Sequence, residues 1–537
     1  ASTWTNSNDL YVGHQGDGAL TIADGAAVSN GLVFIGDDED VVGRVLVTGA
    51  GSTWTNNSLL NVGWDGDGAL VVEGGGAVSS DTAYIGVASG AVGAVAVTGA
   101  GSRWDNRGHV YVGQAGRGAL TIANGGVVTN MAAWVGSNSG STGAVSITGP
   151  GSTWTTSGTL RVGARGDGAL FVSDGGAVSS REGFIAFEAG SRGEVSVTGS
   201  GSTWTNLGAF FVGGEGAGGL NVLDGGAVTS AGGLVGAFTG STGAVTVAGT
   251  GSRWTNNDYL LIGADGSGTL TVADGGVVTG TEAYVGVYAG ASGFVRVTGA
   301  GSLWSNTGAV DVGWGTQGAL TLSDGGLVRA SGVVLAANAD GVGVLNIGAA
   351  DGDAARAAGV LDSPILAFGQ GRGALVFNHT AAANGAGHAF GADLASDAAG
   401  DALIRQLAGF TRLTGDSAGY QGALEVSGGV LSVDGVLGAG GVTATVSGGG
   451  ALTGSGLLDG DVDVLSGGIL AGASGFTFTI GGDLTLQDGA LVNVALGAPG
   501  GAELFAVGGD LTLDGTLNVT DAGGFGPGLY TLFTYGG

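Results

Sequence analysis

A tryptophan returns every 50 residues, at Trp4, Trp54, Trp104, Trp154, Trp204, Trp254 and Trp304. Each stands in a close variant of GSTWTN, with no insertion or deletion between copies. A fixed period of this length means one structural unit stacked many times. A feature present in every copy belongs to architecture before it belongs to a single active site.

The repeat grammar is clear in residues 51–100. Short runs of alternating apolar and polar residues (LLNVG, GALVV, AYIG, AVAVTG) lie between glycine turns. Alternation is the signature of a half-buried strand, and residues 1–350 carry no sustained 3.6-residue apolar period. The unit divides into similar halves: Gly18 corresponds to Gly43, Leu20 to Val45 and Ile22 to Val47, a constant offset of half the repeat. One rung therefore has about 25 residues and about three strands, the size of one coil of a parallel β-helix, whose coils lie about 4.8 Å apart. Two inward ladders follow. One comprises Val12, Val62, Val112, Val162, Val212, Ile262 and Val312; the other comprises Leu20, Leu70, Leu120, Leu170, Leu220, Leu270 and Leu320. Gly13 and Gly18, with their equivalents through Gly313 and Gly318, mark corners where positive φ is expected. Asp24, Asn124, Asp174, Asp224, Asp274 and Asp324 precede glycine turns, as Asx residues do; the second copy has Gly74 there.

In STWTN, Ser2 and Trp4 share one face and Thr3 and Thr5 the other. The favoured orientation puts the indole inward against a valine such as Val28; the alternative is an exposed aromatic row able to stack on sugars. A kelch-type propeller also has repeats near 50 residues. The two like halves of the unit, and the glycine-rich strands that continue past residue 350, argue against it. The expected fold is all-β, a right-handed parallel β-helix (solenoid) with about 25 residues per coil. Twenty-one or so such coils would make a rod of roughly 100 Å.

Composition narrows the partners. Net charge is −29, and all 15 basic residues are arginine. This argues against nucleic acid and anionic membranes as electrostatic partners and leaves loose calcium association open. Glycine reaches 122 of 537 residues with only 4 prolines and no three-residue period, so collagen is excluded. Cysteine is absent, which suits a chain that crosses a membrane unfolded. Ala1 opens inside a repeat, so the sequence reads as a mature or excised portion.

Three regions are expected. Residues 1–350 hold seven 50-residue repeats of two coils each. Residues 351–410 are alanine-rich and irregular or loop-bearing, with a possible short helix at 401–409. Strand signals return in 411–537. Within that last region RLTGDSAGYQGALEVSGGVLSVDG (residues 412–435) resembles the passenger-associated repeat of bacterial autotransporters, the type V secretion systems. The GSTWTN…LYVG…GALTI…DGGAV units and the terminal GGDLTLDGTLNVTDAGGFGPGLYTLFTYGG are also similar to autotransporter passenger sequence. The resemblance implies a right-handed β-helix exported through the outer membrane by a C-terminal translocator barrel absent from this sequence. It implies location on the bacterial surface or release from it.

No residue pattern in the sequence carries a catalytic assignment. His14, His109, His379 and His388 are the only histidines; His379 and His388 lie close together in the sequence and could pair as ligands or as acid and base. The cluster Asp37, Asp38, Glu39 and Asp40 reads as a solvated loop, with calcium as the alternative. Thr3/Thr5, Thr53/Thr55, Thr153/Thr155 and Thr203/Thr205 form a threonine row that Arg103/Asp105, Arg253 and Leu303/Ser305 interrupt, which argues against ice binding. The expectation is a stalk and adhesin whose partner is a host or neighbouring-cell glycan or protein, with no enzymatic activity, metal or cofactor and no identified binding residues. The alternatives are a carbohydrate-active β-helix enzyme, with acids and arginines clustered near 351–410, and a purely structural spacer.

Overall fold

The computed structural model of the chain describes residues 2–382 and 386–537; residues 383–385, within the alanine-rich stretch, lie outside them. The described residues form strands and turns without an α-helix. The chain divides into two compact units, Ala1–Thr281 with Gly290–Ser292, and Glu282–Ala289 with Gly293–Gly537. Each unit is a parallel β-solenoid.

In the first unit every coil contributes one strand to each of three sheets. In the first coil these are Thr3–Thr5, Leu10–Val12 and Gly18–Ile22. Each strand pairs in parallel with its counterpart one coil on: Trp4 lies beside Val28, Val12 beside Ile35 and Leu20 beside Val45. The half-repeat offset read from the sequence is thus the register of the third sheet. Both predicted ladders point inward, with Val62, Val112, Leu70 and Leu120 at most 1% exposed. Burying one such leucine contributes roughly 1.5–3 kcal/mol, and stacking repeats it coil by coil.

The repeat tryptophans Trp54, Trp104, Trp154, Trp204, Trp254 and Trp304 are fully buried, whereas Trp4, in the first coil, is 45% exposed. Trp154 sits between Val128 and Val178 of the adjoining coils. The inward orientation therefore holds, and polar flanks are reconciled with it by a buried partner. The indole nitrogens of Trp54 and Trp154 donate to the Asn30 and Asn130 side-chain oxygens at 2.6 and 2.7 Å; those of Trp104, Trp204 and Trp254 donate to the hydroxyls of Ser80, Ser180 and Ser230. A buried indole N–H needs such an acceptor. Trp304 lacks one; the equivalent acceptor position before it is Gly280, which has no side chain to offer.

The glycines serve two different purposes. Gly13 and its equivalents through Gly313 do adopt positive φ, between 67° and 80°. The Gly18 series does not, and this corrects the sequence expectation. Those residues lie where the backbone crowds on itself: a methyl on Gly168 would overlap the backbone of Gly163 across the loop of its own coil and the Val135 carbonyl of the coil before.

In the second unit the same pattern continues past residue 350, after a longer connection between Val342–Gly348 and Val360–Asp362. The segment considered for a helix is the strand Asp401–Ala408. Its residues Ala402, Ile404 and Gln406 alternate inward, a two-residue period that overrides the helix propensity of its leucines and alanines. Further on, His388–Phe390, Phe410–Leu413, Val430–Val433 and the strands after them form a sheet of their own.

Candidate functional site: an outward aromatic column

Between the two inward residues of each second-sheet strand lies one residue that must face outward. In successive coils this position holds Tyr11, Phe34, Asn61, Tyr84, Tyr111, Trp134, Arg161, Phe184 and Phe211. Coil spacing brings neighbouring rings into register. Tyr84 stacks on Tyr111, and Tyr111 on Trp134, with centroids 4.8 Å apart and planes 11° apart; Phe184 and Phe211 stack at 4.4 Å and 5°. Such stacking covers ring faces and leaves ring edges outward, so the column is a packed seam wherever it is continuous.

It is interrupted at Asn61, which is fully buried, and again at Arg161. The guanidinium carbon lies 5.3 Å from the Trp134 ring centroid, 5.8 Å from Phe184 and 4.3 Å from Phe187. These are cation–π distances. A cleft of about 360 Å³ opens here, lined by Tyr111, Trp134, Ser137, Asn138, Arg161, Ala164, Arg165, Phe187 and Glu188. Arg165 donates to Glu188 at 2.7 Å. Arg161 makes no ion pair or hydrogen bond among the described residues, and its Nε is buried without a partner. Burial pulls the Arg161 pKa below its ordinary value, against Glu188, Glu182 and Tyr111, which raise it. Burial, with Tyr84, raises that of Tyr111, against Arg161.

The sequence-nominated residues scatter. His109 lies edge-on to Trp134 at 5.1 Å, beside this column, with a buried Nδ1 lacking a partner. His14 meets the acidic loop: its Nδ1 is 2.7 Å from Asp37 and 3.5 Å from Asp38. The three groups could offer ligand atoms within 4.8 Å of one another. That nitrogen-and-oxygen set suits zinc or a related transition metal better than calcium; Glu39 and Asp40 stay exposed outside it. The Asp24 series sits in turns at φ of 51–55°, as its turn reading requires. The threonine row faces outward, and intervening coils add Ser29, Ser79, Thr129 and Ser179 to it.

His379 and His388 do come together, ring centroids 5.2 Å apart. His379 is buried; its Nε2 is 2.9 Å from the Thr411 hydroxyl, which donates to Gln406, and its Nδ1 accepts from the Ala381 amide. That arrangement holds the neutral ring, and burial with His388 pulls its pKa down to about 4. Near residues 351–410 a cavity of about 500 Å³ gathers Arg296 and Arg356 but only one lining carboxylate, Asp353; Arg356 is held by Asp324 at 2.6 Å. A carboxylate outside that region is more perturbed. Burial, reinforced by Glu282, raises Asp311 to about 6, while Tyr284 donates to Glu282 at 3.0 Å.

No protein-family model matches the chain, and no curated protein matches it. A solved structure, the crystal structure of a TibA fragment hyper-glycosylated by TibC, is similar at 17% identity over 71% of this chain and 98% of that one, with a TM-score of 0.35.

Proposed function

We propose that this chain is the exported passenger of an autotransporter, displayed at the bacterial surface or released from it, and that it acts as a stalk and adhesin. The supporting observation is that parallel coils continue through the stretch resembling the passenger-associated repeat: Phe410–Leu413 pairs with Val430–Val433, and Ala423–Val426 with the strand after it. Contacts between neighbouring coils are local in sequence, so folding can propagate as the chain emerges. A translocator barrel, encoded beyond this sequence, is the export partner. The partner for adhesion is a glycan or protein on a host or neighbouring cell, met by an outward face of the first unit.

Binding by the purified chain tests this. Saturable adhesion of chain-coated beads to cells, or retention on glycan and matrix arrays, is expected. Absence of any binding would leave the spacer reading. The enzyme reading draws on the Asp311 and Glu282 carboxylates, since acid–base work needs a carboxyl group titrating near neutrality. Glycan cleavage that is lost in Asp311→Asn would favour it over a non-catalytic role.

A further inference from the structure

We propose that the cleft beside Arg161 binds the carboxylate of an acidic sugar, a sialic or uronic acid ending a surface glycan. This rests on the adhesin reading, which supplies a glycan partner, and adds the chemistry that the glycan carries.

Three observations point the same way. First, the cleft occurs where the aromatic column is broken by a cation. Two arginines, Arg161 and Arg165, line it against one glutamate, Glu188, in a chain whose net charge is −29. Second, the two arginines are not equivalent. Arg165 and Glu188 neutralise each other at 2.7 Å. Arg161 is held half-buried on ring faces, within electrostatic range of Glu188 and Glu182 but ion-paired with neither among the described residues. A guanidinium is shaped for bidentate carboxylate binding. Third, the rest of the lining matches a sugar ring. Ser137 and Asn138 offer polar groups to ring hydroxyls, and Phe187 offers apolar surface to the C–H face. About 360 Å³ falls at the low end for ligand pockets, suiting one ring rather than a long chain.

The test uses the whole chain on an array of sialylated, glucuronylated and neutral glycans, with free N-acetylneuraminic acid and glucuronic acid as competitors. Acid-terminated glycans should be retained at least tenfold better than their neutral counterparts. Arg161→Gln should lose that preference, and Arg161→Lys should keep only part of it. Phe187→Ala, which leaves the charge in place, should weaken binding of the same glycans. Circular-dichroism melting checks that each variant folds. Equal retention of acidic and neutral glycans overturns the proposal. So does Arg161→Gln that lowers the melting temperature but leaves acidic selectivity unchanged, which would make Arg161 a packing residue only. In either of those cases binding to cells would keep the adhesin reading standing; a wild-type chain that binds no glycan and no cell sinks both.

Discussion

Replacing Trp154 by phenylalanine removes a donor and half an indole from the dry interior of the first unit. Trp154 is fully buried, packed between Val128 and Val178, and its Nε1 donates to Asn130 at 2.7 Å. Asn130 already has an amide nitrogen without a partner, so it is poorly placed to absorb another loss. The Asn130 oxygen would keep only the longer bond from the Thr156 hydroxyl, at 3.3 Å, so losing the indole donor costs about 1–2 kcal/mol, and the space left by the missing ring atoms adds about 1–2 kcal/mol. The expected destabilisation is thus roughly 2–4 kcal/mol. Trp4→Phe provides the control: Trp4 is 45% exposed, and the expected change is within about 0.5 kcal/mol. A stacked array opens locally as well as globally, so hydrogen exchange read by mass spectrometry is the suitable assay. Amides in the coils of Val128, Trp154 and Val178 should exchange about 30-fold faster or more, the factor for ~2 kcal/mol, while coils far along the unit change little. Equal behaviour of the two variants would refute the buried-ladder account.

Three further outcomes follow from local geometry. Ala186 has φ of 57° at a corner where Gly36, Gly86 and Gly136 stand in other coils; Ala186→Gly should stabilise the unit by about 1 kcal/mol, measured by thermal or denaturant unfolding, and a loss of stability would contradict the strain argument. Asp311 is raised from 3.8 to about 6, so the folded state keeps a proton that the unfolded chain releases: its contribution is complete below pH 3.8 and disappears as pH rises through 6. The rise corresponds to at most about 3 kcal/mol, less what solvent screening removes, so Asp311→Asn should stabilise at pH 8 and change little at pH 4, and a pH-independent effect would contradict this. His379 is lowered from 6.5 to about 4, so stability present above pH 6.5 should be lost as pH falls from 6.5 through 4; an NMR titration should place the ring near 4, and a midpoint near 6.5 would contradict its burial.

The core was legible because it repeats at a constant interval. Leu20 and Val45 stand half a repeat apart and are directly paired, so the third sheet's ladder can be read straight from the text. The outward column was missed because its interval alternates: the step from Tyr11 to Phe34 is shorter than the step from Phe34 to Asn61. Residues that look unrelated at a fixed period are neighbours once this alternation is known. The same shorter step joins His14 to Asp37 and Arg165 to Glu188. Side-chain partners of the tryptophans were hidden differently. The acceptor stands one coil upstream and varies between asparagine and serine, so its constancy is chemical and does not show as a repeated letter. At Asp401–Ala408 composition suggested a helix, but the inward turn of Gln406, bonded to the carbonyls of Ala408 and Gly409 and to Thr411, shows why a polar residue can occupy a core position in a strand.

Coil register can be measured chemically because the chain has no cysteine of its own. Thr121 and Ser146, on successive coils, lie side by side on the outer face of the third sheet. Cysteines placed at these two positions should be joined rapidly and almost completely by a short thiol-reactive linker, while cysteines at Thr121 and Ser196, three coils apart, should not. Failure of the first pair, or equal joining of the second, would contradict the parallel, in-register stacking of successive coils.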